Sequence, residues 1–197
     1  MLTEITSGIY DIELDIVYAT ERNFTQQRIY SRGACYLHPD AVEKLDNTLR
    51  LAKILGYKVK IFDAFRPLEA QWLLWEKDPN PNFLSDPKKG SPHSRGVAID
   101  LTLVDRYGAD LDMGSKFDEF CETSHHGNLD ISPLAQKNRS ILLGIMTSAG
   151  WDFYRNEWWH YQLYDARKNY SLISDKDLSL SMMFQSDMKR LQAAYNL

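Results

Sequence analysis

The sequence predicts an α+β fold, with an antiparallel sheet and helices packed on one of its faces. Three observations predict it. Short stretches such as Ile12–Ile16 alternate apolar and polar residues, as half-buried strands do. Two longer stretches repeat apolar residues at helical spacing between a start signal and a glycine stop. Two candidate strands, 97–104 and 158–164, each have one face less apolar than the other, which suits a sheet covered on one side.

In chain order, residues 9–18 read as the first strand and 23–33 as a polar surface loop. Pro39 suits the first position of a helix, with Asp40 and Glu43 near its positive end. Val42, Leu45, Leu49 and Ala52 form its inner stripe, and Gly56 is its stop. Residues 57–63 read as a strand, followed by a helix from Pro67 with Leu68, Trp72 and Trp75 on one face. Residues 78–90 contain three prolines, so they form a loop that is either a lid or a plain connection. In the strand 97–104, Ala98, Asp100 and Thr102 face one way. A turn covers 105–114, and 116–120 is a short helical or strand piece. Ser132-Pro133 opens a helix closed by Gly150, with Leu134, Ile141, Ile145 and Ala149 inward. Aromatic stretches 151–154 and 158–164 are β-like. Residues 1–170 read as one catalytic domain and 171–197 as a tail with a short amphipathic helix through Met188, Leu191 and Tyr195.

Composition limits the function. A formal net charge of −4 gives no basic surface for nucleic acid or an anionic membrane, so neither is expected as a partner. The first residues lack a basic start and an apolar run, and no stretch is long enough to span a bilayer; the expectation is a cytoplasmic protein. Cys35 and Cys121 stand far apart and read as buried thiols in a reducing compartment.

The chemistry lies in Ser91-Pro92-His93-Ser94-Arg95-Gly96-Val97-Ala98-Ile99-Asp100 and in Glu157-Trp158-Trp159-His160. Hydrolytic zinc sites use three protein ligands from His, Asp and Glu, with water in an open position. His93, Asp100 and His160 supply such a set, leaving Glu157 to act on the water. On the last strand His160 shares a face with Trp158 and Gln162, away from the more apolar face, as Asp100 does on its own strand. Glu157 stands at an odd spacing from His160, so a bulge or turn must separate them, or Glu157 lies in the preceding loop. Gly96 lets the chain turn from His93 into the strand. His125 and His126 read as a hydrogen-bonded loop, because no carboxylate pattern completes a second metal site.

These two stretches resemble the S-x-H-x-x-G-x-A-x-D and E-x-x-H motifs of zinc D,D-peptidases. Further segments, Tyr18-Ala19-Thr20, Asp63-Ala64-Phe65-Arg66-Pro67, Met113-Gly114-Ser115-Lys116-Phe117-Asp118 and Ser124-His125-His126, extend the likeness over roughly residues 10–168. Together they resemble the D-alanyl-D-alanine dipeptidases, the group that includes the vancomycin-resistance dipeptidase. The resemblance implies one Zn²⁺ held by His93, Asp100 and His160, with Glu157 as catalytic base. It implies that Arg66 stabilises the oxyanion and that Ser91 and Asp118 contact the dipeptide. Taken alone, Arg66 reads as a surface salt-bridge partner of Asp63. The family tends to have Tyr where this chain has Phe65. The implied activity is hydrolysis of D-alanyl-D-alanine in removal of a cell-wall precursor or in dipeptide recycling. Two alternatives are a D,D-carboxypeptidase for longer cell-wall peptides and a non-catalytic zinc module that binds peptides. The oligomeric state is open.

Overall fold

A computed structural model describes residues 1–195 of the 197; the last two residues of the 171–197 tail lie outside the described residues. The elements are β1 (Thr3–Ile5), β2 (Ile12–Leu14), β3 (Cys35–Leu37), α1 (Pro39–Ile54), β4 (Lys58–Asp63), α2 (Leu68–Lys77), β5 (Ala98–Val104), α3 (Pro133–Ala149), β6 (Asp152–Phe153), β7 (His160–Gln162), α4 (Ala166–Asn169) and α5 (Gln185–Tyr195). The fold is α+β. A five-stranded sheet runs β2-β4-β5-β7-β6, and β1 pairs with β3 in a separate ribbon. Every pairing in the main sheet is antiparallel except β2 with β4, which is parallel.

β5 is the central strand, and every one of its residues is buried. Ile99, Leu101 and Leu103 point one way, with Val59 and Ile61 of β4 paired beside Leu103 and Leu101. Asp100 points the other way. α1 packs on β4, α3 packs on β6, and the two helices contact each other. The helix signals behave as their chemistry dictates. Ser132 caps α3 by accepting from the Ala135 N–H at 3.0 Å, and Gly150 closes it at φ 100°. At α1 the cap is His38, whose Nδ1 accepts from the Asp40 N–H at 3.2 Å.

Several expectations need correction. The strand expected over 9–18 is only Ile12–Leu14, because Val17–Ala19 winds into a 3₁₀ turn. Residues 116–120 form turns, neither helix nor strand. The loop 23–33 is not wholly superficial: Ile29 and Tyr30 are buried, and Tyr30 bridges to Met183. In α3, Leu134 is exposed and the buried face runs through Ala135, Asn138, Arg139, Leu142, Ile145, Met146 and Ala149. The apolar periodicity misplaced this face because two of its positions are polar. Cys121 is half-buried rather than buried, and both cysteines are free.

The tail folds back onto the body. Glu69 of α2, buried, accepts from the Asp175 N–H at 3.0 Å, and Asp175 accepts from the Met182 N–H at 2.7 Å. Met188 and Leu191 are buried, and Tyr195 stacks on Trp72 at 3.9 Å between centroids, so α5 packs on α2.

One buried polar contact pins the helical layer to the sheet end. The Trp151 indole N–H donates to Thr48 Oγ1 at 3.0 Å, and Thr48 donates to the Lys44 carbonyl at 2.9 Å. An enclosed N–H without an acceptor costs about 1–3 kcal/mol. Thr48→Val should therefore lower the unfolding free energy by about that amount, whereas Thr48→Ser should cost markedly less; denaturant titration of both variants checks this.

Candidate active site

The register of the central strands assembles the site. Asp100 on β5 pairs directly opposite His160 on β7, so their side chains rise from the same face. His93 comes from a 3₁₀ turn, His93–Arg95, that leads into β5 and ends at Gly96 with φ 68°. A Cβ at Gly96 would fall 2.5 Å from a Leu2 methyl and 3.2 Å from the His38 nitrogen, so glycine is required by conformation and by space. The three donors then converge. His93 Nε2 lies 3.0 Å from His160 Nδ1 and 3.3 Å from Asp100 Oδ1, and His160 Nδ1 lies 3.0 Å from Asp100 Oδ1.

Hydrogen bonds on the far sides of the rings define which nitrogens carry protons. His93 Nδ1 donates to the Ala64 carbonyl at 2.6 Å, and His160 Nε2 donates to Gln162 Oε1 at 3.1 Å. In the neutral rings both remaining nitrogens point lone pairs at each other and at a carboxylate oxygen, an arrangement that repels itself unless a positive charge sits among them, either a metal ion or a proton on His160 Nδ1, which Asp100 favours. A tetrahedral ion with nitrogen donors at about 2.0–2.1 Å holds its donors about 3.3 Å apart. The observed triangle, with sides of 3.0, 3.0 and 3.3 Å, is slightly tighter than this, and it is the single such donor group among the described residues. Burial would raise the Asp100 carboxyl, but His93 and His160 outweigh it and hold the group well below the usual carboxylate range.

Glu157 stands beside this triangle and outside it, with Oε2 3.9 Å from His160 Nδ1. A turn separates the two residues, closed by the His160 N–H to the Glu157 carbonyl at 3.3 Å. This resolves the odd spacing. Burial pushes the Glu157 carboxyl up to about 8; His160 and Arg66 pull it down, while Asp100 and Asp118 push it further up. The turn is clamped by the 124–126 segment: the Trp158 N–H donates to the Ser124 carbonyl at 3.0 Å and the His126 N–H to the Arg155 carbonyl at 2.8 Å.

Arg66 is buried, and its ion pair with Asp63 is buried too, not superficial. Arg66 Nε donates to Asp63 Oδ2 at 2.9 Å, and Nη2 lies 2.9 Å from the same oxygen and 3.6 Å from Asp100 Oδ2. The guanidinium lies over the Tyr18 ring, 4.9 Å from its centroid. The Tyr18 hydroxyl in turn donates to Asp118 Oδ1 at 3.0 Å. Asp118 adopts φ 61°, and its Oδ2 is enclosed without a hydrogen-bond partner among the described residues. Burial pushes its carboxyl up to about 8, with Arg66 opposing and Asp100 and Asp63 adding to the rise. Ser91 Oγ accepts from the His93 N–H at 3.2 Å.

The structure thus brings all seven predicted site residues, His93, Asp100, His160, Glu157, Arg66, Ser91 and Asp118, to one cavity of about 700 Å³. The 78–90 loop forms part of its wall, with Phe83 stacked on Phe120 and the Tyr154 hydroxyl donating to the Asn82 carbonyl at 2.8 Å. Phe65 is fully buried and packs in the core. His126 lies against Phe153 and Tyr161, and burial holds its ring down to about 4.

Sequence reasoning missed Arg139. This buried arginine makes no ion pair among the described residues. It donates to the carbonyls of Met113 (2.6 Å), His125 (3.1 Å) and Thr123 (2.7 Å), and to Ser115 Oγ (3.2 Å). Ser115 Oγ also accepts from the Trp158 indole at 3.0 Å. Arg139 therefore binds together the loops that carry Asp118 and that clamp Glu157. Its one signal in the sequence is a charge at an inward helical position.

A buried His-Asp-His triangle on an α+β sheet, with a carboxylate just outside it, fits a metallopeptidase, and the comparisons with known proteins show that class. A profile of the D-Ala-D-Ala dipeptidase family matches residues 2–177, and the chain belongs to that family. It is 43% identical over 166 residues to the D-alanyl-D-alanine dipeptidase of Escherichia coli (strain K12), covering 84% of this chain and 86% of that protein. It is 35% identical over 185 residues to the D-alanyl-D-alanine dipeptidase of Enterococcus faecium, covering 83% and 90%. The protein of the same name from Enterococcus faecalis is 34% identical over 180 residues, covering 80% and 88%.

Arg139→Met would strand three loop carbonyls, each worth about 1–3 kcal/mol when left unpaired. The variant should lose about 3 kcal/mol or more of stability, measured by denaturant unfolding. A loss below about 1 kcal/mol would show that the loops hold themselves.

Proposed function

We propose that this chain is a zinc-dependent dipeptidase that hydrolyses D-alanyl-D-alanine to two D-alanines. The observation that carries the reading is the donor triangle with sides of 3.0, 3.0 and 3.3 Å and a buried carboxylate, Glu157, just outside it. The relatives, D-alanyl-D-alanine dipeptidases by name, support the substrate. His93, Asp100 and His160 would hold the ion, and two imidazoles with one carboxylate suit zinc. When bound, zinc supplies Lewis-acid polarisation of the scissile carbonyl and lowers the pKa of water to about 7.

The remaining work falls to the chain's own residues. Burial pushes the Glu157 carboxyl up; with a divalent cation held at the triangle beside it, the ionised form would be favoured again, and Glu157 takes a proton from the attacking water and passes it to the leaving amine. Arg66, held by Asp63 and stacked on Tyr18, presents its free donors to the developing oxyanion. Asp118 receives the ammonium group of the dipeptide, and Ser91 lines the same cavity. Burial raises the Asp118 carboxyl, and the arriving ammonium favours its ionised form. We assign catalysis to residues 1–170, read 171–197 as an accessory tail, and place the reaction in the cytoplasm, where the two free thiols stay reduced. Among the described residues no helix is long and apolar enough to cross a membrane.

One observation favours a longer substrate: a cavity of about 700 Å³ exceeds what two alanines fill. Turnover of D-Ala-D-Ala beside N-acetyl-D-Ala-D-Ala and a tripeptide ending in D-Ala-D-Ala decides between the readings. A hydrogen bond to a charged group contributes about 1.5–3 kcal/mol, so the free dipeptide should be preferred by about 10- to 100-fold in kcat/KM. Asp118→Ala should shrink that preference. Equal use of all three substrates by the wild type would overturn the dipeptidase reading in favour of a carboxypeptidase.

A further inference from the structure

Arg66 has five N–H donors. Asp63 engages Nε and Nη2, Asp100 Oδ2 lies 3.6 Å from Nη2 and the Tyr18 ring lies against the guanidinium face, so Nη1 is the nitrogen whose partner comes from another element. That partner is Gln71, one turn into α2 and fully buried. Arg66 Nη1 donates to Gln71 Oε1 at 3.1 Å. On its other side, Gln71 Nε2 donates to the Ser85 carbonyl at 2.8 Å. The amide cannot be reversed: a guanidinium only donates and a carbonyl only accepts, so the oxygen must face Arg66 and the nitrogen must face Ser85. Ser85 lies in the 78–90 loop, and Phe83, Leu84, Ser85 and Asp86 of that loop line the cavity. One buried carboxamide therefore joins the cavity wall to the arginine.

We propose that Gln71 is a positioning residue that couples docking of the 78–90 loop to the orientation of Arg66. The proposal rests on the functional reading above, in which Arg66 faces the oxyanion. With the loop docked, Ser85 holds the Gln71 amide nitrogen, the amide oxygen is presented to Nη1, and the two unengaged N–H groups of Arg66 point into the cavity. With the loop displaced, the carboxamide is free to rotate and Nη1 loses its fixed acceptor. Asp63 and the Tyr18 ring still hold the guanidinium, but its Nη1 corner has no fixed acceptor. The loop's outer attachments, Arg167 Nη2 to Ser85 Oγ at 3.3 Å and Arg167 Nε to the Gly90 carbonyl at 3.3 Å, hold the wall from the solvent side; Gln71 holds it from within.

Two substitutions separate the two bonds. Gln71→Met removes both. Gln71→Glu keeps an acceptor for Arg66 and loses the donor to Ser85. Turnover of D-Ala-D-Ala should fall in kcat by about 10- to 100-fold in Gln71→Met, the scale of an ångström-level misplacement. The kcat loss in Gln71→Glu should be several-fold smaller. A phosphinate dipeptide analogue should lose affinity for Gln71→Met in parallel with kcat/KM, which a reduced folded fraction alone would not cause. Lys88 and Lys89 are exposed in the loop, so limited trypsin digestion reads its docking. Both variants should be cut there faster than the wild type. Equal kcat losses in the two variants, a Gln71→Met kcat within about twofold of wild type, or unchanged cleavage would each overturn the proposal. If the wild type hydrolyses the dipeptide and Gln71→Met matches it, the coupling alone fails. A wild type inactive on the dipeptide would instead sink the functional reading, and the coupling with it.

Discussion

Buried negative charge is the constraint around which this structure is arranged. Asp100, Asp118 and Glu157 line one cavity, Asp63 is buried against Arg66, and Arg66 is the buried guanidinium among them. The carboxyls divide accordingly. Asp100, flanked by two imidazoles, is held ionised, whereas Asp118 and Glu157 are pushed up to about 8 by burial. Such a site has too little positive charge of its own. Under the proposed function, a divalent ion within the His93–Asp100–His160 triangle would supply part of it, and the substrate's ammonium group beside Asp118 would supply more. Binding, metal loading and protonation are thereby parts of a single charge balance.

The scaffold turns that balance into geometry through short connections. The Asp100–His160 register puts two ligands side by side, the Ala64 carbonyl turns His93 toward them, and the Arg66 N–H donates to the His93 carbonyl at 3.2 Å. The strand end 63–66 and the turn 93–96 are thus interlocked. On the opposite wall, Arg139 gathers the loops bearing Asp118 and supporting Glu157. Loops that carry function gain precision from a rigid frame, and here much of that rigidity comes from buried side chains that bond to loop carbonyls.

The convergence of Asp100 and His160 was legible in the sequence because side chains alternate strictly along a strand. Asp100 and His160 fall on the less apolar faces of their strands, and Gly96 marks the turn that admits His93. The interruption before His160 was legible as well, since Glu157 could not share its face in a regular strand. What the sequence did not disclose were charges used as interior structure. Asp63–Arg66 read as a surface pair, and the inner face of α3 was displaced because Asn138 and Arg139 interrupt the apolar stripe. The site residues at left-handed or turn positions, Asp118 above all, belong to no periodic element, and periodicity says nothing about them. The docking of α5 on α2 depends on a Trp72–Tyr195 stack 123 positions apart in the chain, which local pattern could not announce.

The central claim is that the triangle holds a metal and that Glu157 works beside it without being a ligand. The most direct measurement is metal content together with D-Ala-D-Ala turnover for the wild type and Glu157→Ala. The account predicts one zinc per chain in both proteins, with turnover lost by at least the ~10²–10⁴-fold of a missing general base in the variant and abolished in the wild type by chelation. Loss of the ion from Glu157→Ala, or full turnover by metal-free wild type, would contradict it.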